Sequence, residues 1–109
     1  FVAGVADSSG YGWAIAKQLA NAGATIVVGT WPPVLSLFER GLKKGFGDDQ
    51  VLKDGSMMKI EKVIYPLDAM FSTPEEIPAD ILENKRYAGL EHYDIKSCAE
   101  AVKRDFGKV

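Results

Sequence analysis

Residues 1–23, FVAGVADSSGYGWAIAKQLANAG, decide the fold. The apolar run Phe1-Val2-Ala3 enters a turn that begins at Gly4 and carries Gly10 and Gly12 at its far end. Ile15, Leu19 and Ala22 then recur at spacings of four and three, which places them on one face of a helix. Gly23 is positioned to end that helix in a left-handed conformation. A second apolar run, Thr25-Ile26-Val27-Val28-Gly29, follows after a short connection, so the segment reads as strand, glycine-rich turn, helix, strand.

Such a turn has a chemical use. Glycines let a ligand approach the backbone, and the start of a helix presents unpaired N–H groups at the positive end of its dipole. A pyrophosphate fits there. The spacing is Gly-x5-Gly-x-Gly, neither G-x-G-x-x-G nor a P-loop, since no Gly-Lys-Ser/Thr occurs. The plainer alternative is that these glycines only shape a tight turn. Asp7, Ser8 and Ser9 lie inside the turn, and capping of the coming helix is the expected role of the two serines. Tyr11 reads equally as an apolar anchor for the turn or as a contact to the ribose or pyrophosphate.

Outward from this unit, the second strand ends in Gly29-Thr30-Trp31, without the acidic residue that holds a ribose 2′-hydroxyl in common dinucleotide sites. Trp31 offers a flat face where an adenine would lie, or a hydrophobic lid. Pro32-Pro33 open a new helix, and Leu35, Phe38 and Leu42 form its apolar stripe. Residues 46–56 are polar and turn-rich; Asp48-Asp49 lacks the alternating spacing of a calcium loop, so a solvated loop is expected rather than a metal site. Residues 57–67 (MMKIEKVIYPL) read as one or two strands, with Val63-Ile64-Tyr65 at their centre. Asp68-Ala69 follow directly, at the carboxyl end of a strand, where ligands of doubly wound sheets bind. Asp68 can accept from an adenine amino group or cap the next turn.

Further on, Thr73 and Glu76 form a capping pair. His92 stands without metal-ligand spacing around it. Asp94 caps a last helix whose core stripe is Ile95, Cys98, Val102 and Phe106, and Gly107 ends it. Cys98 on that stripe reads as a buried filler rather than a nucleophile.

The 109 residues carry 13 basic and 15 acidic side chains, interspersed, with no basic stripe to recruit nucleic acid. No apolar run reaches the roughly 18 residues of a membrane span. A single cysteine excludes an internal disulfide and fits a reducing compartment.

The string Gly4 to Lys17 resembles the opening of the enoyl-[acyl-carrier-protein] reductases, a divergent branch of the short-chain dehydrogenase/reductases. Trp31-Pro32-Pro33, Tyr65-Pro66-Leu67-Asp68-Ala69 and Asn84-Lys85-Arg86-Tyr87 resemble the plant and apicomplexan plastid type. That resemblance implies an α/β fold, a Rossmann-like doubly wound parallel sheet of which this is the N-terminal part. Residues 1–109 would be part of a single NAD-binding domain, with an insertion around 44–62. It further implies NADH-dependent reduction of a trans-2-enoyl thioester carried on acyl-carrier protein, a homotetramer, and a plastid (chloroplast or apicoplast) location. The cofactor-binding positions it implies are Gly4, Asp7, Gly10, Tyr11, Gly12, Trp31, Asp68 and Ala69, with Trp31 and Asp68 favoured as adenine contacts. The family's catalytic Tyr-x6-Lys pair has no counterpart here, so no catalytic residue is expected within this chain. Other short-chain dehydrogenases, such as a ketoacyl reductase, and a non-catalytic dinucleotide-binding module are the competing readings. Asn84–Tyr87 has no evident physical task in the sequence beyond a loop clasp or a subunit contact.

Overall fold

The computed structural model describes residues 1–108; Gly107-Lys108-Val109 reads in the sequence as the approach to a further strand, and Val109 lies outside the described residues. Three short strands, β1 (Val2–Ala3), β2 (Val28–Thr30) and β3 (Tyr65–Pro66), form a parallel sheet in the order β1-β2-β3. Val2 pairs with Val28, and Gly29 with Tyr65. Helix α1 (Tyr11–Asn21) connects β1 to β2, and α2 (Leu35–Lys44) follows β2 after a 3-10 turn over Pro32–Val34. A four-residue helix α3 (Ala79–Leu82) and the longer α4 (Ile95–Phe106) follow β3.

Alternation along β2 and its approach sets the layers. Val28 turns to one side, into a cluster with Trp13 and Ala16 of α1 and Phe38 of α2. Val27 turns to the other, against Cys98, Ala101 and Val102 of α4. Helices thus cover both faces, the arrangement of a doubly wound α/β sheet.

The face of α1 marked by Ile15, Leu19 and Ala22 is not the buried one: Ile15 and Leu19 are 53% and 42% exposed. Trp13, Ala16 and Ala20 face the core instead. Trp13 is selected by partners far along the chain, with Phe38 at 6.4 Å, Phe46 at 4.8 Å, and an Nε1–H bond to the Asp49 carbonyl at 2.9 Å. Likewise α4 buries Cys98, Ala101 and Val102, while Ile95 and Phe106 at its two ends remain 44% and 40% exposed. Gly23 and Gly107 do end their helices with φ of +93° and +80°.

The polar segment after α2 is anchored rather than loose. Gln50 accepts from the Phe46 amide and donates to the Met58 carbonyl, and buried Met58 joins the core cluster. The strand centred on Val63-Ile64-Tyr65 shrinks to Tyr65–Pro66, with one isolated parallel bridge from Ile60 to Ile26 and one antiparallel bridge from Val51 to Met57. Val63 is 54% exposed and lies outside both clusters, whereas Ile64 packs against the first and Tyr65 is buried in the second. Pro66 is harmless to the ladder because it is Leu67 whose N–H donates to Thr30.

The capping expectations hold at the later helices. Glu76 accepts from the Thr73 amide at 3.1 Å, and buried Asp94 accepts from the Ser97 amide at 2.9 Å. Asp94→Ala is expected to cost about 1 kcal/mol or somewhat more, because the cap is desolvated; urea unfolding measures it, and an unchanged midpoint would show that α4 does not depend on its cap.

Candidate dinucleotide site

All the candidate residues lie at the carboxyl ends of the strands. Gly4 follows β1, Trp31 follows β2, and Asp68 comes one residue after Leu67, beyond β3. Gly4 takes φ +92°, a left-handed conformation natural to glycine, and turns the chain out of β1. The turn is tied to β2: the Gly4 and Val5 amides both donate to the Gly29 carbonyl, and buried Thr30 donates its hydroxyl to the Val5 carbonyl at 2.7 Å. Gly12 lies against this turn so closely that a Cβ there would meet the Gly4 carbonyl oxygen at 2.4 Å. Its glycine is needed for the contact between helix and turn.

Gly10 stands at the N-cap of α1, and no side chain caps the helix. The serine caps expected from the sequence do not form. Ser9 donates both its amide and its hydroxyl to Asp7 Oδ1, while Ser8 donates to Asp49 Oδ2 at 3.2 Å. Asp7 therefore builds the turn from within, and Ser9's amide and hydroxyl hold its carboxyl below the usual carboxylate range. The first-turn amides of α1, which have no intrahelical acceptors, are left to an external one. Tyr11 stands at this mouth, 92% exposed, and so does not anchor the turn by packing.

The second group centres on Asp68, 8% exposed. Its Oδ2 accepts from the Tyr87 hydroxyl at 2.7 Å and from Trp31 Nε1 at 3.2 Å. Its Oδ1 accepts from the Met70 amide at 3.0 Å, so Asp68 does shape the following turn. Its own amide donates to the Tyr93 carbonyl. Trp31 is 45% exposed, with the Arg86 guanidinium 5.3 Å from its ring centroid. Ala69, beside Asp68, is exposed.

Asn84–Tyr87 thus acquires a task that sequence reasoning left open. Asn84 Oδ1 accepts from the Arg86 amide at 2.8 Å, folding the turn that presents Arg86 to Trp31 and Tyr87 to Asp68. Trp31, Asp68 and Tyr87 lie too far apart in sequence for any periodicity to join them; the one sequence signal is the resemblance of the Asn84–Tyr87 string to the plastid-type reductases.

Burial, then the hydrogen bond to Asp68 and its negative charge, push Tyr87 up from 10.0 to about 12, with Trp31 opposing. Burial and Asp105 push Tyr65 up to about 12 as well. Burial pushes the Cys98 thiol up to about 11, which fits a filler and not a nucleophile. For both tyrosines the folded chain holds its proton more tightly than the unfolded one. The stabilisation is complete below pH 10 and is lost as pH rises through about 12. Stability measured by urea unfolding is therefore expected to fall between pH 10 and pH 12, and to fall less steeply in Tyr87→Phe. Equal slopes would show that Tyr87 does not titrate with folding.

Recesses occur away from these groups too. One of about 460 Å³ lies between the end of α1 and residues 52–61, and an apolar one of about 310 Å³ runs from Phe1 and Ala3 to Cys98 and Val102. Among the described residues, no cluster of three or more His, Cys, Asp or Glu gathers to hold a metal ion, and no helix is long and apolar enough to cross a membrane.

No family model matches the chain. Curated proteins do. The chain is 57% identical over 110 aligned positions to "Enoyl-[acyl-carrier-protein] reductase [NADH] 2, chloroplastic" of Oryza sativa subsp. japonica, covering 100% of the chain and 29% of that protein. It is 56% identical to "Enoyl-[acyl-carrier-protein] reductase [NADH], chloroplastic" of Arabidopsis thaliana, covering 28% of it. Among solved structures, the Plasmodium berghei enoyl-acyl-carrier-protein reductase with triclosan superimposes with a TM-score of 0.93 at 38% identity, over 100% of this chain and 38% of that one. The chain therefore spans less than a third of the length of these curated relatives. From end to end, the chain matches in sequence one stretch of the chloroplastic NADH enoyl-[acyl-carrier-protein] reductases of Oryza sativa and Arabidopsis thaliana, and in backbone course one stretch of the Plasmodium berghei enoyl-acyl-carrier-protein reductase.

Proposed function

We propose that this chain is the part of an enoyl-[acyl-carrier-protein] reductase that grips the adenosine and diphosphate side of NADH. The observation that carries the reading is the start of α1, a helix N-terminus without a side-chain cap, approached through a turn that opens on Gly4 and closes on Gly10. A diphosphate supplies the acceptors those amides lack, and the helix dipole favours its charge. Gly4 and Gly10 leave the backbone open there, Gly12 lets the start of α1 lie close against the turn, and Tyr11 stands beside it. Trp31 would lie along the adenine, while Asp68 and Ala69 would meet its polar edge. Asp7 would act through the turn it folds.

When bound, the dinucleotide supplies a hydride for an enoyl thioester carried on acyl-carrier protein, a reaction of type II fatty-acid synthesis. No Tyr-x6-Lys pair occurs in residues 1–109, so the groups that polarise the thioester would come from elsewhere in a longer protein. We read the chain as one part of a single dinucleotide-binding domain, with an insertion around 44–62 that leads from the end of α2 toward β3. That the relatives are chloroplastic supports a plastid location, and a homotetramer remains part of the same proposal.

Calorimetric titration of the full-length protein with NADH, together with NADH oxidation in the presence of crotonyl thioester, tests the reading. Stoichiometric binding and turnover are expected. A protein that binds no NADH, or holds its diphosphate away from the Gly4–Gly12 turn, would overturn it, as would turnover by residues 1–109 alone.

A further inference from the structure

We propose that Tyr87 is a positioning residue which aims the Asp68 carboxylate and so makes the site selective for a 6-aminopurine. The inference rests on the reading of Asp68 as an adenine contact. A carboxylate oxygen accepts about two hydrogen bonds. Oδ2 of Asp68 is filled by two donors from different segments, Trp31 beyond β2 and Tyr87 beyond α3. Oδ1 receives one bond, from the Met70 amide. One accepting position is therefore left on this buried group, on Oδ1, beside exposed Ala69 and Met70.

A ligand edge meeting that position must donate. The exocyclic amine of adenine does so; the 6-oxo group of hypoxanthine would set an acceptor against a carboxylate. Without the Tyr87 hydroxyl, Oδ2 keeps only the longer bond from Trp31, and the carboxylate is held by two donors rather than three, able to pivot about the Met70 amide's bond to Oδ1. The direction of the remaining accepting position on Oδ1 is then loosened, and the discrimination falls with it. Tyr87 is suited to this task because its ring is held independently of its hydroxyl. It is buried, and lies 5.3 Å from the Tyr93 ring. The Asn84 turn fixes its backbone, with the Tyr87 amide donating to the Asn84 carbonyl.

The test is steady-state kinetics of the full-length protein with NADH and with reduced nicotinamide hypoxanthine dinucleotide, at saturating enoyl thioester. The wild type should prefer NADH. Tyr87→Phe should raise the KM for NADH about tenfold with kcat unchanged, and shrink the NADH preference by a similar factor, the size expected for one hydrogen bond to a charged group. The preference is a ratio of two kcat/KM values from one sample, so a reduced folded fraction cancels. A merely structural role would lower activity with both dinucleotides alike and leave the ratio unchanged; that result overturns the proposal. A wild type that uses NADH without preferring it would overturn it as well. A wild type with no NADH-dependent enoyl reduction would instead sink the function proposed above.

Discussion

Gly12→Ala is expected to destabilise the protein by about 3 kcal/mol and to weaken NADH binding at least tenfold, because the added methyl has nowhere to go. Its carbon would stand 2.4 Å from the Gly4 carbonyl oxygen, 3.0 Å from the Gly4 carbonyl carbon and 3.1 Å from Val5 Cγ2. The first two are main chain, and that main chain cannot yield cheaply. The Gly4 and Val5 amides are bonded to Gly29, and the Val5 carbonyl accepts the buried Thr30 hydroxyl. Helix α1 must therefore move as a body, which also pulls on Trp13 in the core. Moving the helix moves the amides at its start, and with them the proposed diphosphate contacts. Gly10→Ala is the matched comparison. Gly10 has φ −87°, and a methyl there would meet only Asp7 Oδ1, at 3.5 Å, so the fold should survive within about 0.5 kcal/mol. Urea unfolding and calorimetric NADH titration of the two variants separate packing from ligand approach. If Gly12→Ala keeps wild-type stability and affinity, helix and turn are not in the contact described.

What was legible in the sequence was what is decided locally. The caps at Asp94 and at Thr73–Glu76, the glycines that end α1 and α4, and the order strand, turn, helix, strand each depend on residues within a few positions of one another. The buried face of α1 was not legible. Two of its three core residues are alanines, whose apolar signal is weak beside that of Ile15 and Leu19. What selects Trp13–Ala16–Ala20 includes Phe46 and Asp49, some 30 residues on. Residue type predicts serine caps for α1, yet Ser9 is taken by Asp7 and Ser8 by Asp49, 41 residues away. The site divides in the same way. Gly4, Gly10 and Gly12 declare themselves by spacing, whereas the clasp of Tyr87 and Trp31 on Asp68 joins three segments that no short motif contains.

That clasp also sets the second large effect. Asp68→Ala is expected to cost about 3 kcal/mol in stability and to raise the KM for NADH more than tenfold. The carboxylate accepts from three donors, the buried Tyr87 hydroxyl, the half-exposed Trp31 indole and the Met70 amide. Truncation leaves all three without that partner and opens a space beneath Trp31. A hydrogen bond to a charged group contributes about 1.5–3 kcal/mol, and water entering the space would restore part of three such bonds, so a net loss near 3 is reasonable. Asp68→Asn refines the expectation, because an amide keeps one accepting oxygen and turns the other position into a donor. With its oxygen toward Tyr87 and Trp31, the Asn NH₂ would face the Met70 amide and the adenine amine, donor against donor. Asn should thus recover much of the stability and little of the affinity. Parallel losses in stability and affinity across Ala and Asn would mean that Asp68 serves the fold alone. Ala with unchanged stability would mean that the three hydrogen bonds do not hold these segments together.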